Sequence, residues 1–498
     1  MSDAFVPLLV AVPMLGALLV VASGLVSERG PPAVAGGALA AQTILAGWLG
    51  SKVFTDGPLS VDVGGFVAPY GIELVVDGLS AIVVVLVAAV SLAVLVYAIR
   101  DDPGGTPFYT EYLLLVTGLS GMTVTGDVFN LYVFLEISGL ATYALVASAG
   151  TGRSAVAALK YLMFGTVAAS LYLLGVGYAL VATGTLNMAD LSTELAAAGY
   201  DSTLVLASFG FIVVGLATKT ALFPLHTWQP DAYGDAPDSV SALIAALVST
   251  VAAYALLRLV YTVYTPAFFE AVPVARTALV VFACVSIVVG SVLAVAQSKV
   301  KRMLAYSSVS QYGLVVVGLA IGTRAAVFGA IVHLVGHAIM KGGLFVAAGT
   351  IDDLLGATTV EEYAGLADRY PFLGGASAVL MLAMVGIPPA VGFAGKWYIA
   401  LGAVEAGAWP VAVVIFASTL LTLAYFARLI ERMYVASAPT RDVAATDGGA
   451  SDDLLAAAPP RGALALIVGA AVVAVVLGLA VTDLQTILEP TLDSLLSP

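Results

Sequence analysis

GLATKTALFPLHTWQP, Gly215–Pro230, decides how the whole chain is read. Lys219 follows Leu204 to Ala217, a run without formal charge, so its amine lies deep in a hydrophobic span. Five residues on, Pro224 cannot donate to the carbonyl of Thr220, and its ring clashes with that turn. An ionisable amine and a helix break thus share about one and a half turns. In lipid, backbone groups freed by such a break survive only where protein or a water-filled cavity covers them. An ionisable side chain at that depth marks a functional site by default. The plainer reading, a lysine snorkelling to the interface, fails because neither end of the span is near enough.

Working outward, a mean hydropathy of +1.04, with 61% hydrophobic and 10% charged residues over 498, excludes a soluble domain. It specifies an all-α polytopic membrane protein. The net charge is −13. The acids fall mostly in connections (Asp231, Asp235, Asp238, Asp352, Asp353, Glu361, Glu362) and read as solvated loop surface. The only cysteine, Cys284, sits in an apolar span, so neither a disulfide framework nor an iron–sulfur site can be built. There is no glycine-rich phosphate loop. No cofactor is expected, whether nucleotide, flavin or haem, and no nucleic-acid partner. Met1–Phe5 lacks the basic start of a signal peptide, so the first apolar run is expected to be retained.

Apolar runs of spanning length fall at 5–26, 33–54, 74–98, 109–126, 128–149, 156–182, 203–229, 239–263, 273–295, 304–322, 325–350, 372–403, 408–434 and 462–482, giving about 14 transmembrane helices. Residues 1–108 hold spans one to three. Spans four to eight (109–263) and nine to thirteen (264–434) make two sets of five. Because five is odd, the second set enters the membrane upside down, as in inverted-repeat transporters. The fourth member of each set is broken: span 7 at Pro224, and span 12 at Pro388–Pro389. The correspondence is not strict, since Lys219 precedes its break and Lys396 follows its own. Residues 435–461 read as a cytoplasmic linker, and 462–498 as a last span with a short interfacial helix. Lys and Arg concentrate in the odd-numbered connections (Arg29, Arg100, Arg153, Lys299, Lys301 and Arg302 among them). Those connections are expected to be cytoplasmic, with both termini outside the cell membrane.

The chain has seven lysines, and four of them (Lys160, Lys219, Lys341, Lys396) sit in or at the mouths of apolar spans. Lys160 opens the sixth span and reads equally well as a snorkelling residue. Glu136 lies in DVFNLYVFLEISGLATYAL (127–145), a carboxylate that goes neutral when buried unless a cation is near. In AIVHLVGHAIMKGGLFVAAG (330–349), His333, His337 and Lys341 recur at i, i+4 and i+8 and so line one helical face. With no carboxylate between the histidines and a lysine beside them, a metal site is not expected. In GIPPAVGFAGKW (386–397), Pro388 and Pro389 free the carbonyls of Met384 and Val385 ahead of Lys396. At roughly 2.5–3.5 kcal/mol each, Glu136, Lys219, Lys341 and Lys396 cost on the order of 10–14 kcal/mol to insert. A row of such groups bridged by water is a proton wire. As a stability device it makes no sense, because apolar residues would do better.

The segments that carry these residues resemble the antiporter-like membrane subunits of respiratory complex I, membrane-bound hydrogenases and Mrp-type cation/proton antiporters. The likeness runs over about residues 112–434: LYVFLEISGLATYAL, ALKYLMFG, GLATKTALFPLHTWQPDAY, APDSVSALIAAL, KRMLAYSSVSQYG, HLVGHAIMKGGLF and GIPPAVGFAGKW occur in order. The length and fourteen spans look most like the D-type member of Mrp antiporters. The resemblance implies a hydrated proton relay of Glu136, Lys219, His333, His337, Lys341 and Lys396, with Lys160 more weakly attached. It also implies other subunits of an antiporter or complex I-like assembly as partners, and protons and sodium as the ions moved across the lipid bilayer. The chain departs from the family in ALVSTVAAYALLR, where Thr250 stands at the place of the usual eighth-span lysine. Either water bridges Lys219 to His337 there, or this is a paralogue with weakened or lost pumping. A proton-pumping subunit of complex I or a hydrogenase is the alternative, and a non-pumping structural paralogue the second.

Overall fold

The computed structural model describes residues 2–101, 104–437 and 458–497. An N-terminal group of α1 (Leu8–Gly24), α2 (Gly30–Asp56) and α3 (Gly78–Asp101) leads to α4 (Gly105–Val124), α5 (Val128–Ala147) and α6 (Gly152–Thr183). A short α7 (Met188–Ala198) precedes α8 (Thr203–Lys219) and α9 (Gln229–Asp235). The next passage is α10 (Asp238–Leu243), α11 (Ser249–Leu259) and α12 (Thr265–Ala271), joined by π-helical turns at Ile244–Val248 and Val260–Tyr264. Then come α13 (Pro273–Val295), α14 (Val300–Ile321), α15 (Arg324–Leu355), α16 (Leu366–Arg369), α17 (Pro371–Val385), α18 (Val391–Glu405) and α19 (Trp409–Tyr434). The last two are α20 (Arg461–Leu479) and α21 (Val481–Leu496).

Among the described residues, eleven helices are long and apolar enough to cross a membrane. They exclude α4, whose Glu111 and four threonines dilute its hydropathy. They also exclude the two interrupted passages that begin with α8 and α17, each too short alone. With these three the number of apolar runs read from the sequence is recovered. Burial decides which helices are central: the apolar windows of 238–271, 300–321 and 324–355 are 100%, 94% and 89% buried, against 22% for α20. The three enclosed passages are the ones that carry Thr250, Gln311 and the His333–Lys341 face. Glycine lets α18 come close to this centre. A Cβ on Gly395 would stand 2.6 Å from His333 Cβ, and one on Gly329 would stand 2.6 Å from Ile399 N.

Two expectations change. The third span starts at Gly78 rather than at 74, because Glu73–Val76 pairs as an antiparallel strand (β2) with Leu59–Asp62 (β1), Leu59 opposite Val76. Leu74 and Val76 point inward and Glu73 and Val75 outward, the period of two that a strand requires. Asp77 then caps α3, accepting from the Ser80 N–H at 2.9 Å while its own N–H donates to Ser80 Oγ at 2.8 Å. Second, Asp231 and Asp238 are not plain solvated loop surface. Asp231 takes Lys160 at 2.7 Å and Arg302 at 2.6 Å, and Asp238 pairs with Lys301. The α9–α10 corner turns these carboxylates toward the third turn of α6, which carries Lys160, and the first turn of α14, which carries Lys301 and Arg302. The connection between α6 and α8 also holds the short α7. Residues 438–457 of the linker lie outside the described residues. α21 docks by Leu488, Leu492 and Leu495, and Arg324 binds Glu489 at 3.4 Å and also Asp493.

Candidate functional site

At the first break, α8 stops at Lys219 and the chain passes through Ala221 with φ +62°, a conformation rare outside glycine. The groups freed by the break find partners on other elements. Trp228 Nε1 donates to Thr218 O at 2.9 Å, Ser249 Oγ donates to Lys219 O at 3.3 Å, and the Phe223 N–H donates to Ser286 Oγ at 3.2 Å. That is the covering by protein that a break at membrane depth needs. Lys219 is the last residue of a helix, where unpaired carbonyls put partial negative charge beside its ammonium. Its Nζ donates to Tyr143 OH at 3.0 Å and lies 3.9 Å from Glu136 Oε1.

Glu136 and Tyr143 stand seven apart on α5 and share a face, with Gly139 between them. A Cβ on Gly139 would come 3.1 Å from both Lys219 Nζ and Tyr143 OH, so the glycine keeps the space in which these groups meet. Gly139→Ala is expected to push the amine off its partners by a few tenths of an ångström. Proton flux through the intact complex in vesicles should then fall by about fivefold, as for one weakened hydrogen bond of about 1 kcal/mol.

At the second break, the carbonyls that Pro388 and Pro389 leave free are taken by the lysine itself. Lys396 Nζ donates to Met384 O and Val385 O, each at 2.9 Å. Lys396 belongs to α18 but holds the C-terminal end of α17. Both lysines therefore sit at the C-terminus of the first half-helix, although one precedes its break and the other follows it. The half-helix dipole favours a cation at each place.

Between the breaks, α14 and α15 run antiparallel and their polar residues meet in register. Ser307 and the Leu304 carbonyl (2.6 Å) receive Lys341 Nζ. The Tyr312 ring lies edge-on to His337 at 4.7 Å, and Gln311 Oε1 accepts from His333 Nε2 at 2.9 Å. That bond puts the His333 proton on Nε2 and leaves Nδ1 as an acceptor. His333, His337 and Lys341 are fully buried. Both His337 nitrogens, His333 Nδ1, Gln311 Nε2 and Gln229 Oε1 are buried without a hydrogen-bond partner among the described residues. Buried polar atoms in that condition mark places that take ordered water.

Among the described residues no direct contact joins Lys219 to His337, but hydroxyl groups fill the interval. Ser249 Oγ lies 3.1 Å from Tyr233 OH, and Thr250 Oγ1 donates to Ala246 O at 2.7 Å and lies 2.9 Å from Tyr312 OH. Thr250 thus reaches the His337 side through a tyrosine. Lys160, paired with Asp231, sits at the mouth of this interior rather than in it. Among the described residues no cluster of three His, Cys, Asp or Glu is arranged to hold a metal ion. Tyr143, Ser307, Gln311 and Tyr312 escaped sequence reasoning. The i+7 spacing from Glu136 signalled the first, and the polar run SSVSQY facing a polar helix signalled the others.

The family described as NADH:quinone oxidoreductase/Mrp antiporter, TM, matches residues 125–422, the interval that holds every residue of this interior. The N-type member of an NADH-quinone oxidoreductase from Desulforudis audaxviator is 49% identical over 384 residues, 76% of this chain and 75% of that protein. The D-type member of a Na+/H+ antiporter from Bacillus subtilis is 34% identical over 383 residues, 76% of this chain and 77% of that protein. A chain in the structure of the membrane-bound sulfane sulfur reductase, an archaeal respiratory membrane complex, superposes with a TM-score of 0.88 at 30% identity, covering 99% of this chain and 98% of that one.

Proposed function

The chain belongs to the NADH:quinone oxidoreductase/Mrp antiporter transmembrane family, and on that premise we propose that it is the proton-translocating subunit of a multisubunit Na+/H+ antiporter of Mrp type. One observation carries the reading. Ionisable side chains run from Glu136 and Lys219 through His337 and Lys341, on one of the most enclosed helices, to Lys396, and unpartnered buried nitrogens and amides stand between them. Protons pass between these groups on ordered water. The two sets of five helices act as inverted halves, with the Lys160–Asp231–Arg302 side cytoplasmic and both termini outside the cell membrane. Sodium-driven pH change in everted vesicles holding the native complex tests the function. It should vanish when this chain is deleted and return when it is restored.

A second reading, the proton-pumping subunit of a redox complex, is favoured by the 49% identity to an NADH-quinone oxidoreductase subunit. Both readings use the same relay and differ in partners. Iron–sulfur subunits in the purified native complex would select the second, and their absence beside a complete antiporter set the first.

In either complex the Thr250–Tyr312 bridge does the joining that a lysine would otherwise do. Thr250→Val removes the bond to the Ala246 carbonyl and, with it, the bridge to Tyr312, a neutral buried hydrogen bond worth about 1 kcal/mol, and should slow proton flux about fivefold with assembly intact. Unchanged flux would favour the reading of a chain that no longer pumps.

A further inference from the structure

On α11, Thr250, Tyr254 and Arg258 recur at i, i+4 and i+8, sharing a face about 12 Å long, and all three are buried. At its inner end Thr250 meets Tyr312, which lies against His337. One turn on, the Tyr254 hydroxyl donates to Thr123 O at 2.7 Å and accepts from Arg258 Nη2 at 3.1 Å. A further turn on, Arg258 forks onto Asp77, with Nη1 to Oδ2 at 2.5 Å and Nη2 to Oδ1 at 2.8 Å. Two cavities of about 330 and 340 Å³ flank the guanidinium. Arg258, Thr262 and Ser494 of α21 line both. One extends to Glu73 and Thr125, the other to Asp77. The walls mix polar and apolar groups, and the charged and hydroxyl side chains among them, with that volume, suit several waters. Three polar side chains on one enclosed face are a poor way to hold a helix in place, since apolar residues would do it better.

We propose that the outward leg of the proton path runs along this face of α11, from Tyr312 and Thr250 past Tyr254 into a water-filled vestibule around the Arg258–Asp77 pair beneath α21. The proposal rests on the proton-moving function above. Arg258 keeps its proton at any working pH and carries none onward. It is a positioning residue that fixes the Tyr254 hydroxyl and the Asp77 carboxylate while water in the cavities relays the proton. Burial opposes the Asp77 carboxylate, but Arg258 and Ser80 hold its pKa down to about 2. The pair therefore stays ionised and net neutral.

The test uses the intact complex in oriented vesicles, in a Cys284→Ala background, with a charged membrane-impermeant methanethiosulfonate as the probe and labelling read as a mass shift on this chain. Thr262→Cys in the vestibule and Tyr254→Cys one turn inside should react at least about tenfold faster from the outer face than from the cytoplasmic face. Val281→Cys, on the exposed side of α13, should react from neither. In a second arm, Thr262→Trp fills the vestibule and should cut proton flux about tenfold with the complex still assembled. No outer-face labelling of Tyr254→Cys, or full flux in assembled Thr262→Trp, overturns the outward leg. Failure there with Lys219→Ala still inactive sinks this leg alone, whereas normal flux in Lys219→Ala sinks the function beneath it.

Discussion

Lys219→Ala is expected to cut sodium-driven proton movement by at least about a hundredfold, the scale of losing one positioned acid–base group, while the chain still folds and assembles. The amine lies in contact range of both Glu136 and Tyr143, so without it the first half of the relay has no proton carrier. Folding should tolerate the change. Alanine leaves no unpaired ammonium behind, and Glu136 keeps 26% of its side chain at the surface of this chain. Lys219→Arg separates charge from titration, since a guanidinium keeps the positive charge but does not give up its proton. It too should be inactive. Everted vesicles with a pH-sensitive dye read both variants, and a retained sodium response in either would contradict the role.

Lys396→Met should have the second largest effect, and unlike Lys219→Ala it should destabilise the protein. The amine satisfies the carbonyls of Met384 and Val385 at the end of α17. A thioether offers them nothing, and two buried acceptors left unpaired cost about 2–6 kcal/mol together. Thermal unfolding of the purified complex should shift down accordingly. Proton flux should fall as far as in Lys219→Ala, and the double variant should fall no further, because serial steps of one path do not add. Additive losses would point to two separate paths.

These effects could be anticipated because both breaks were legible. Pro224 and the Pro388–Pro389 pair announce where backbone is freed, and even the two carbonyls that Lys396 takes follow from the missing proline donors. The spans and the His333–His337–Lys341 face were legible for the same reason, since period and hydropathy are local properties. Partners across helices were not. Tyr143 in α5 meets Lys219 in α8, and Gln311 meets His333, only once helix register and depth are set by packing. Asp231 and Asp238 looked like loop acids because nothing local shows that the α9–α10 corner folds back onto Lys160, Lys301 and Arg302. The same limit hid Arg258. Its place in YALLR signals a helix end, whereas its fork onto Asp77 spans 181 residues of chain.

Ordered water is the most direct test of a hydrated relay. A cryo-EM map of the native complex fine enough to show single waters should place them on both His337 nitrogens, on His333 Nδ1 and on Gln311 Nε2, linking Tyr312 to Lys341 and onward to Lys396. Dry density, with those atoms packed against apolar side chains and the lysines isolated from one another, would contradict it.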